Sequence, residues 1–306
     1  MKTNDKINID LSIIIPFYNT EAYISDCINS ALNITEINYE IILIDDYSND
    51  SSLHIVEKYQ TSYPKKLNLL KHSTNKGQGA ARNLGFLKAR GEYVYFLDSD
   101  DMIFADNLLS AYKYALRNDL DMLYFDGLQF LDETFTTSNS FDKNSYVKKK
   151  KYNNYMSGEK ILKLFFKNKD YKASPCLYIT KKDLIEKNVI NFTEGIIHED
   201  EFFTPLLTVH AKKVSHIDVN VLNRRLRRGS TMTDLALNIN KSILSEIRGI
   251  YNTLEFKNYD QFDILQKILH LRYKSFLTKT IRFEYTNIKF YQKIVKSNKK
   301  IIKKLK

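Results

Sequence analysis

Residues 91–101, GEYVYFLDSDD, pass from an apolar run into three carboxylates, Asp98, Asp100 and Asp101, within four positions. At neutral pH such groups repel one another unless a cation or solvent intervenes. In an extended segment Asp98 and Asp100 point to one side and Ser99 to the other. Two carboxylates aimed at one point suit a hard divalent ion, Mn²⁺ or Mg²⁺, whose shell is completed by water and phosphate oxygens. A solvated acidic turn capping the next helix is the alternative. Asp-x-Asp arises often by chance; its position after a buried strand favours the metal.

Other residues with chemical potential fall at comparable places. Pro16-Phe17-Tyr18-Asn19 ends one apolar run and IDDYSND, with Asp45 and Asp46, ends another. NKGQGAARN, with Asn75, Gly77 and Arg82, precedes a helical stretch, and HEDEF, with Glu199 and Asp200, opens a later one. Gly77-Gln78-Gly79 resembles half of a dinucleotide fingerprint, but Arg82 stands where the third glycine belongs and the stretch does not follow the first strand. A GxxxxGK[ST] phosphate loop and a Gly-x-Ser-x-Gly elbow are both missing, and HEDEF lacks the second histidine of HExxH.

The elements that must position these groups alternate along the first 126 residues. LSIIIPF, EIILID, LNLLKH, YVYFLD and DMLYFD are short runs apolar on both faces, the pattern of strands covered on both sides. Between them helices are expected from Glu21 to about Leu32, with Thr20 or Asn19 as cap, and from a Ser51 cap to about Tyr59. Two more are expected over Ala80–Ala89 and Asn107–Leu116. This βαβα order predicts a doubly wound, mostly parallel α/β sheet, whose ligands bind outside the carboxyl ends of the strands. The pattern then loosens. Residues 131–155 read as a loop or weak hairpin, Ser157–Asn168 as a helix, CLYIT as a strand and Glu199–Val209 as a helix. From about 235 helices dominate.

The chain has 306 residues, enough to bury a core without staples. Only Cys27 and Cys176 are present, too few for a disulfide framework, so reduced thiols and a cytoplasmic setting are expected. The N-terminus does not read as a signal peptide, and no stretch approaches the roughly 20 apolar residues of a membrane span. Lys and Arg outnumber Asp and Glu by 47 to 36. Eight lysines and no acidic residue fall between Lys289 and Lys306, whereas the first part is near balance.

SIIIPFYN, IILIDDYSNDSS and NKGQGAARNLGFLKARGEYVYFLDSDD together resemble the successive motifs of the family 2 inverting glycosyltransferases. The likeness is close over about residues 10–126 and fainter to about 232. It implies the type-A glycosyltransferase fold, with a nucleotide-sugar-binding half at 1–126, an acceptor-binding and catalytic-base half at 127–234, and a helical region at 235–306. It places Pro16 and Tyr18 at the nucleotide base and favours Asp46 over Asp45 for reading it. Asn75, Gly77 and Arg82 would border the nucleotide and diphosphate, although Arg82 bracing Asp98 or Asp100 is the preferred reading of that side chain. Asp98, with Ser99 beside it, would lie near the ribose, Asp100 on the metal, and Asp98 and Asp101 in or beside its shell.

GIIHEDEFFTPLL resembles the family's acidic motif beneath the acceptor site, which makes Asp200 the expected base and Glu199 the runner-up. The helix start should keep that base ionised. RRLRRGSTM resembles the basic loop that closes over the diphosphate, with Arg225 and then Arg228 favoured as anion ligands. These roles add up to a metal-dependent enzyme moving a sugar, UDP-linked for preference, to a surface glycan or a lipid-linked glycan. The basic tail, NIKFYQKIVKSNKKIIKKLK, could lie on an anionic membrane face or pack as an ordinary terminal helix. A sugar nucleotidyltransferase would need a Gly-rich loop where PFYN stands. A nucleic-acid-binding protein would leave the carboxylates at 98–101 unexplained, so no nucleic acid is expected as partner.

Overall fold

In a computed structural model, the described residues are 8–133, 135 and 141–230. The expected helical region 235–306 and its basic tail lie outside them. In chain order the elements are β1 (Leu11–Phe17), α1 (Ile24–Leu32), β2 (Tyr39–Asp45), α2 (Ser52–Ser62), β3 (Leu67–Lys71) and α3 (Gln78–Lys88). β4 (Tyr93–Phe96), β5 (Met102–Ile103), α4 (Ala105–Arg117), β6 (Met122–Leu131) and α5 (Gly158–Asn168) follow. The last are β7 (Tyr178–Lys181), α6 (Lys182–Lys187), α7 (Asp200–His210) and β8 (Val214–Leu226). They form one sheet in the order β3-β2-β1-β4-β7-β6-β8-β5. β3, β2, β1 and β4 run parallel to one another, as do β6 and β8. β7 is antiparallel to both β4 and β6, and β5 to β8.

The unbroken apolar strands follow from burial on two faces. Ile13, Ile15 and Phe17 of β1 enter one core layer with Ile24, Val56 and Leu108 from α1, α2 and α4. Ile14 enters the opposite layer with Ala81 of α3, Phe165 of α5 and Leu207 of α7. Pro16 lies within β1 rather than ending it, beyond the last β1–β4 pair at Ile14 and Phe96, where a missing N–H is tolerated. α1 starts three residues later than expected, and neither Ser51 nor α1's first-turn neighbour Tyr23 makes a side-chain cap bond. Instead the Thr20 N–H donates to Ser52 Oγ at 2.8 Å, tying the end of β1 to the start of α2.

β8 is the element the sequence pattern does not announce. Its 216–221 stretch alternates, but Ser215 before it and Leu222 with the polar run Asn223-Arg224-Arg225 after it interrupt the pattern. Its register with β6 shifts between the Tyr124–His216 and Asp126–Asn220 pairs, a bulge that leaves Ile217, Asp218 and Val219 outside the ladder. Arg224 and Arg225 therefore belong to a strand, not to a mobile loop.

α5 docks on α7 through backbone. Gly158 donates its N–H to Ala211 O at 2.9 Å, and a Cβ at Gly158 would sit 1.5 Å from the Thr208 carbonyl oxygen. Gly158→Ala should therefore destabilise the chain by about 3 kcal/mol, near the upper end for overpacking. Denaturant unfolding would check this; an unchanged midpoint would mean that α5 can shift away from α7 without loss.

Candidate functional site

The carboxyl ends of β1, β2 and β4, the start of α3, the start of α7 and the end of β8 surround a cleft of about 540 Å³. Pro16, Tyr18, Asp46, Asn75, Gly77, Arg82, Asp98, Ser99, Asp100, Asp101, Glu199, Asp200 and Arg225 all line it, side chains that are up to 209 positions apart in sequence. Its size falls within the roughly 300–1,000 Å³ of ordinary ligand sites. Asn19, Tyr47 and His198, at or near three of these ends, hold positive φ angles of 50°, 71° and 63°. Strained non-glycine backbone of this kind tends to collect at ligand sites.

Arg82 is the central cation. It is 2% exposed, donates from Nη2 to Asp98 Oδ1 at 2.7 Å, and pairs through Nη1 with Glu199. The expected bracing of Asp98 is therefore present, and Glu199 is a second anchor that the sequence did not suggest. Glu199 is 5% exposed and faces Arg82, so it is poorly placed to act as a second base. Asp98 Oδ1 also accepts from Gln78 Nε2 at 2.8 Å. Two buried polar atoms on the cleft wall, Arg82 Nε and Thr20 Oγ1, have no partner among the described residues. A polar ligand would satisfy them.

Asp46 organises the neighbouring loop. Its carboxylate accepts from the Lys76 and Gly77 backbone N–H groups at 2.9 and 2.8 Å and meets His72 Nδ1 at 2.7 Å. Asn75 Nδ2 donates to the Asp46 carbonyl at 3.1 Å. A carboxylate offers about four acceptor directions, so about one remains for a ligand. Asp45 accepts the Ser48 N–H at 3.0 Å and so caps the loop that follows β2. Gly77 caps α3 at φ 89°, a backbone region closed to other residues, and so points the α3 N-terminus at the cleft. Such termini favour anions.

Residues 98–101 form a turn, not an extended strand: β4 stops at Phe96 and the Asp101 N–H donates to the Asp98 carbonyl at 3.1 Å. Asp98 and Asp100 stay partly accessible in the cleft. Asp101 is 3% exposed and accepts the Arg225 N–H at 2.8 Å. Burial, then Asp100 and Asp98, push its carboxyl well above the usual range. No three ligand atoms from this run converge as tightly as those of Asp126, His216 and Asp218, which meet at the β8 bulge away from the cleft. Mn²⁺ or Mg²⁺ needs only one or two protein carboxylates when phosphate and water fill its shell, and Asp98 and Asp100 fit that requirement.

The arginines divide differently from the sequence expectation. Arg225 is committed inward, to Asp26 at 2.7 Å, Asp132 at 3.1 Å and the Asp100 carbonyl at 3.1 Å. It is a brace, not a free anion ligand. Arg228 is exposed and absent from the cleft wall. Arg227 and Arg224 take these places on the wall: Arg227 Nε donates to Asp100 Oδ2 at 2.7 Å, and Arg224 lies 5.0 Å from the Tyr146 ring centre. Tyr146 and Ser174 also line the cleft and carry no sequence signal; Ile196 and His198 line it from within the GIIHEDEFFTPLL motif, which singled out only its carboxylates.

Asp200 begins α7, where its own and the Glu201 backbone amides favour the anion. Burial nevertheless outweighs them and Arg82, and raises its carboxyl above the ordinary range. Such a group binds its proton more tightly folded than unfolded. Its ionised form therefore opposes folding once pH exceeds about 3.9, the unfolded value. Asp200→Asn should raise Tm at pH 7, with the gain shrinking toward pH 4. Glu199→Gln should lower stability by about 3 kcal/mol, because it leaves the buried Arg82 guanidinium undercompensated. Thermal melts of both variants across pH decide; a destabilised Asp200→Asn would make Asp200 a structural residue.

Comparison with known proteins follows the same residues. The family model for glycosyl transferase family 2 matches residues 12–186. An uncharacterised glycosyltransferase of Haemophilus influenzae is 44% identical over 114 residues, 37% of this chain and 45% of the relative. A poly(ribitol-phosphate) beta-glucosyltransferase of Bacillus spizizenii is 33% identical over 208 residues, 67% of this chain and 30% of the relative. The chain thus spans less than half the length of either curated relative. Among solved structures, residues 1–349 of Staphylococcus aureus TarS in complex with UDP-GlcNAc superpose with a TM-score of 0.67 at 26% identity, covering 91% of this chain and 74% of that one. The match of the family model to more than half of the chain, including the β1, β2 and β4 ends and the α3 start that line the cleft, makes this protein a member of glycosyl transferase family 2.

Proposed function

We propose that the chain is an inverting glycosyltransferase that moves a sugar from a nucleotide-diphosphate donor, a UDP-sugar for preference, to a hydroxyl of a cell-surface glycan of the teichoic-acid, capsule or lipopolysaccharide kind. One observation carries this reading. The strand-end residues suited to a nucleotide and its diphosphate share a single cleft with a carboxylate, Asp200, suited to take a proton from the acceptor. The TarS complex with UDP-GlcNAc and the poly(ribitol-phosphate) relative support the donor and acceptor classes.

In this mechanism Tyr18 and the free acceptor direction of Asp46 hold the base, and Asp98 faces the ribose. The α3 N-terminus and Arg227 face the diphosphate, where negative charge builds as the sugar leaves. Mn²⁺ or Mg²⁺, held by Asp100 with Asp98, would add positive charge at the leaving group when bound. Asp200 takes the hydroxyl proton as the acceptor oxygen attacks the anomeric carbon, and the anomeric bond to the diphosphate breaks on the opposite face. Burial makes Asp200 a stronger base than a surface aspartate, and it works only while ionised. Activity should therefore fall as pH drops through a value above that of an ordinary aspartate. Arg82 keeps Asp98 and the start of α7 in fixed relation.

Thermal melts with UDP, GDP, CDP and ADP, each with Mn²⁺ and with EDTA, test the donor site. Binding to the folded state must raise Tm. A metal-dependent UDP shift that Asp100→Ala removes is expected, and no shift with any nucleotide would remove the donor assignment. Asp200→Asn should lower turnover by about 10²–10⁴, the usual contribution of a general base, with the UDP shift retained.

A further inference from the structure

The near-balanced charge of the chain before its tail conceals a local excess. Residues 143–172 contain ten lysines against Glu159 and Asp170 alone. Outside this segment and the Lys289–Lys306 stretch, acidic residues outnumber basic ones, so a generally lysine-rich composition does not account for it. Nine of the ten lysines are exposed; Lys148 is the exception, with its Nζ 5.8 and 5.0 Å from the ring centres of Tyr124 and Phe165.

The two carboxylates barely offset this charge. Glu159 pairs with Lys163 one turn along α5. Asp170 turns inward, accepting the Lys149 and Lys150 N–H groups at 2.8 and 3.2 Å and the Tyr152 hydroxyl at 2.5 Å. That knot pins the lysine run against the end of α5, where Lys167 and Lys169 lie. Among the described residues, Lys143, Lys149, Lys150, Lys160, Lys167 and Lys169 have no carboxylate partner. Like charges this crowded oppose folding.

Position supplies the rest. Tyr146, near one end of the segment, and Ser174, just past the other, both line the cleft. Lys172 and Arg224 lie 5.3 and 5.0 Å from the Tyr146 ring centre. The basic surface therefore leads into the site where an acceptor hydroxyl must arrive.

We propose that the surface formed by residues 143–172 binds the acceptor as a linear polyanion, a polyol or glycan strand joined by phosphodiesters, and guides its terminal or side hydroxyl to Asp200. This deepens, and rests on, the glycosyltransferase reading of the cleft. Lysine ammonium groups on separate stems suit a repeating phosphate as point charges, without the bidentate geometry an arginine cluster would impose.

Binding of a fluorescent polyol-phosphodiester oligomer to the full chain tests this, with dextran as a neutral control. Anionic lipid vesicles and a single-stranded oligonucleotide of equal charge are the competing polyanions. In the variant carrying Lys149→Glu, Lys150→Glu, Lys167→Glu and Lys169→Glu, affinity for the oligomer should fall by at least about tenfold. The slope of log K against log salt should become shallower by a little under one for each phosphate that is no longer neutralised. The metal-dependent UDP shift should be unchanged, which also reports that the variant is folded. If it is not folded, the same substitutions to Gln remove charge without reversing it and must show the same direction. Undiminished binding in either folded variant, or equal affinity for dextran, overturns the proposal. Tighter binding to vesicles or to the oligonucleotide overturns it in favour of a membrane or nucleic-acid surface. Loss of the UDP shift in the unmutated chain would instead defeat the donor assignment, whatever the oligomer does.

Discussion

A single guanidinium holds the cleft together. Arg82 is almost wholly buried and neutralises Asp98 at the end of β4 and Glu199 at the threshold of α7. Removing a cation from water is unfavourable by several kcal/mol, and only close, well-aligned carboxylates offset it. The two halves of the chain therefore cannot separate at this point without exposing an uncompensated charge. Packing reinforces the constraint: the Phe192 ring lies 5.1 Å from the guanidinium carbon and stacks on Phe203 of α7. Gly79 brings α3 so near that a Cβ there would lie 2.8 Å from the Thr193 carbonyl. Asp200, the next residue after Glu199, inherits its position from this arrangement.

A second set of ion pairs shapes the opposite wall. Arg225 reaches Asp26 of α1 and Asp132 just beyond β6, and its backbone holds Asp101. The 98–101 turn is thus gripped from behind while Asp98 and Asp100 face the cleft. Arg227 offsets Asp100 from the front, so the carboxylate cluster is partly neutralised by the protein itself. A ligand that needs Asp100 shares that carboxylate with Arg227, whose Nε takes one of its roughly four acceptor directions.

Much of this was legible in the residues. Strands buried on both faces announce themselves as unbroken apolar runs, and β1 to β4 and the first part of β6 fell where LSIIIPF, EIILID, LNLLKH, YVYFLD and DMLYFD placed them. The helices at 78–88, 105–117, 158–168 and 200–210 matched within two residues. The strand-end residues and the HEDEF carboxylates gathered as the fold class requires. β8 stayed hidden because its polar residues serve the interior: His216 meets Asp126 at 2.9 Å, Asn220 accepts from Asn107 through its carbonyl, and Arg225 binds three acidic residues' atoms. Periodicity reports which side chains avoid water, and such residues avoid it while remaining polar. The exchange of Arg228 for Arg227 has the same origin, since the side to which each arginine points depends on where β8 ends. Helix-start electrostatics suggested an easily ionised Asp200, but burial acts more strongly than two backbone dipoles.

The order of strands in the sheet bears on how the chain is made. β4 is complete at Phe96, yet its second neighbour, β7, begins only at Tyr178. At about 5–20 residues per second, a ribosome needs roughly 4–16 s to supply it. Over that interval the nascent chain presents β4 as an open edge, with Tyr95 and Phe96 lacking their later cover from the 176–178 turn and Phe203. Exposed strand edges recruit other strands. The inserted antiparallel strand is therefore a timing element as well as a structural one: until it emerges, the first half of the protein carries an unpaired edge at β4.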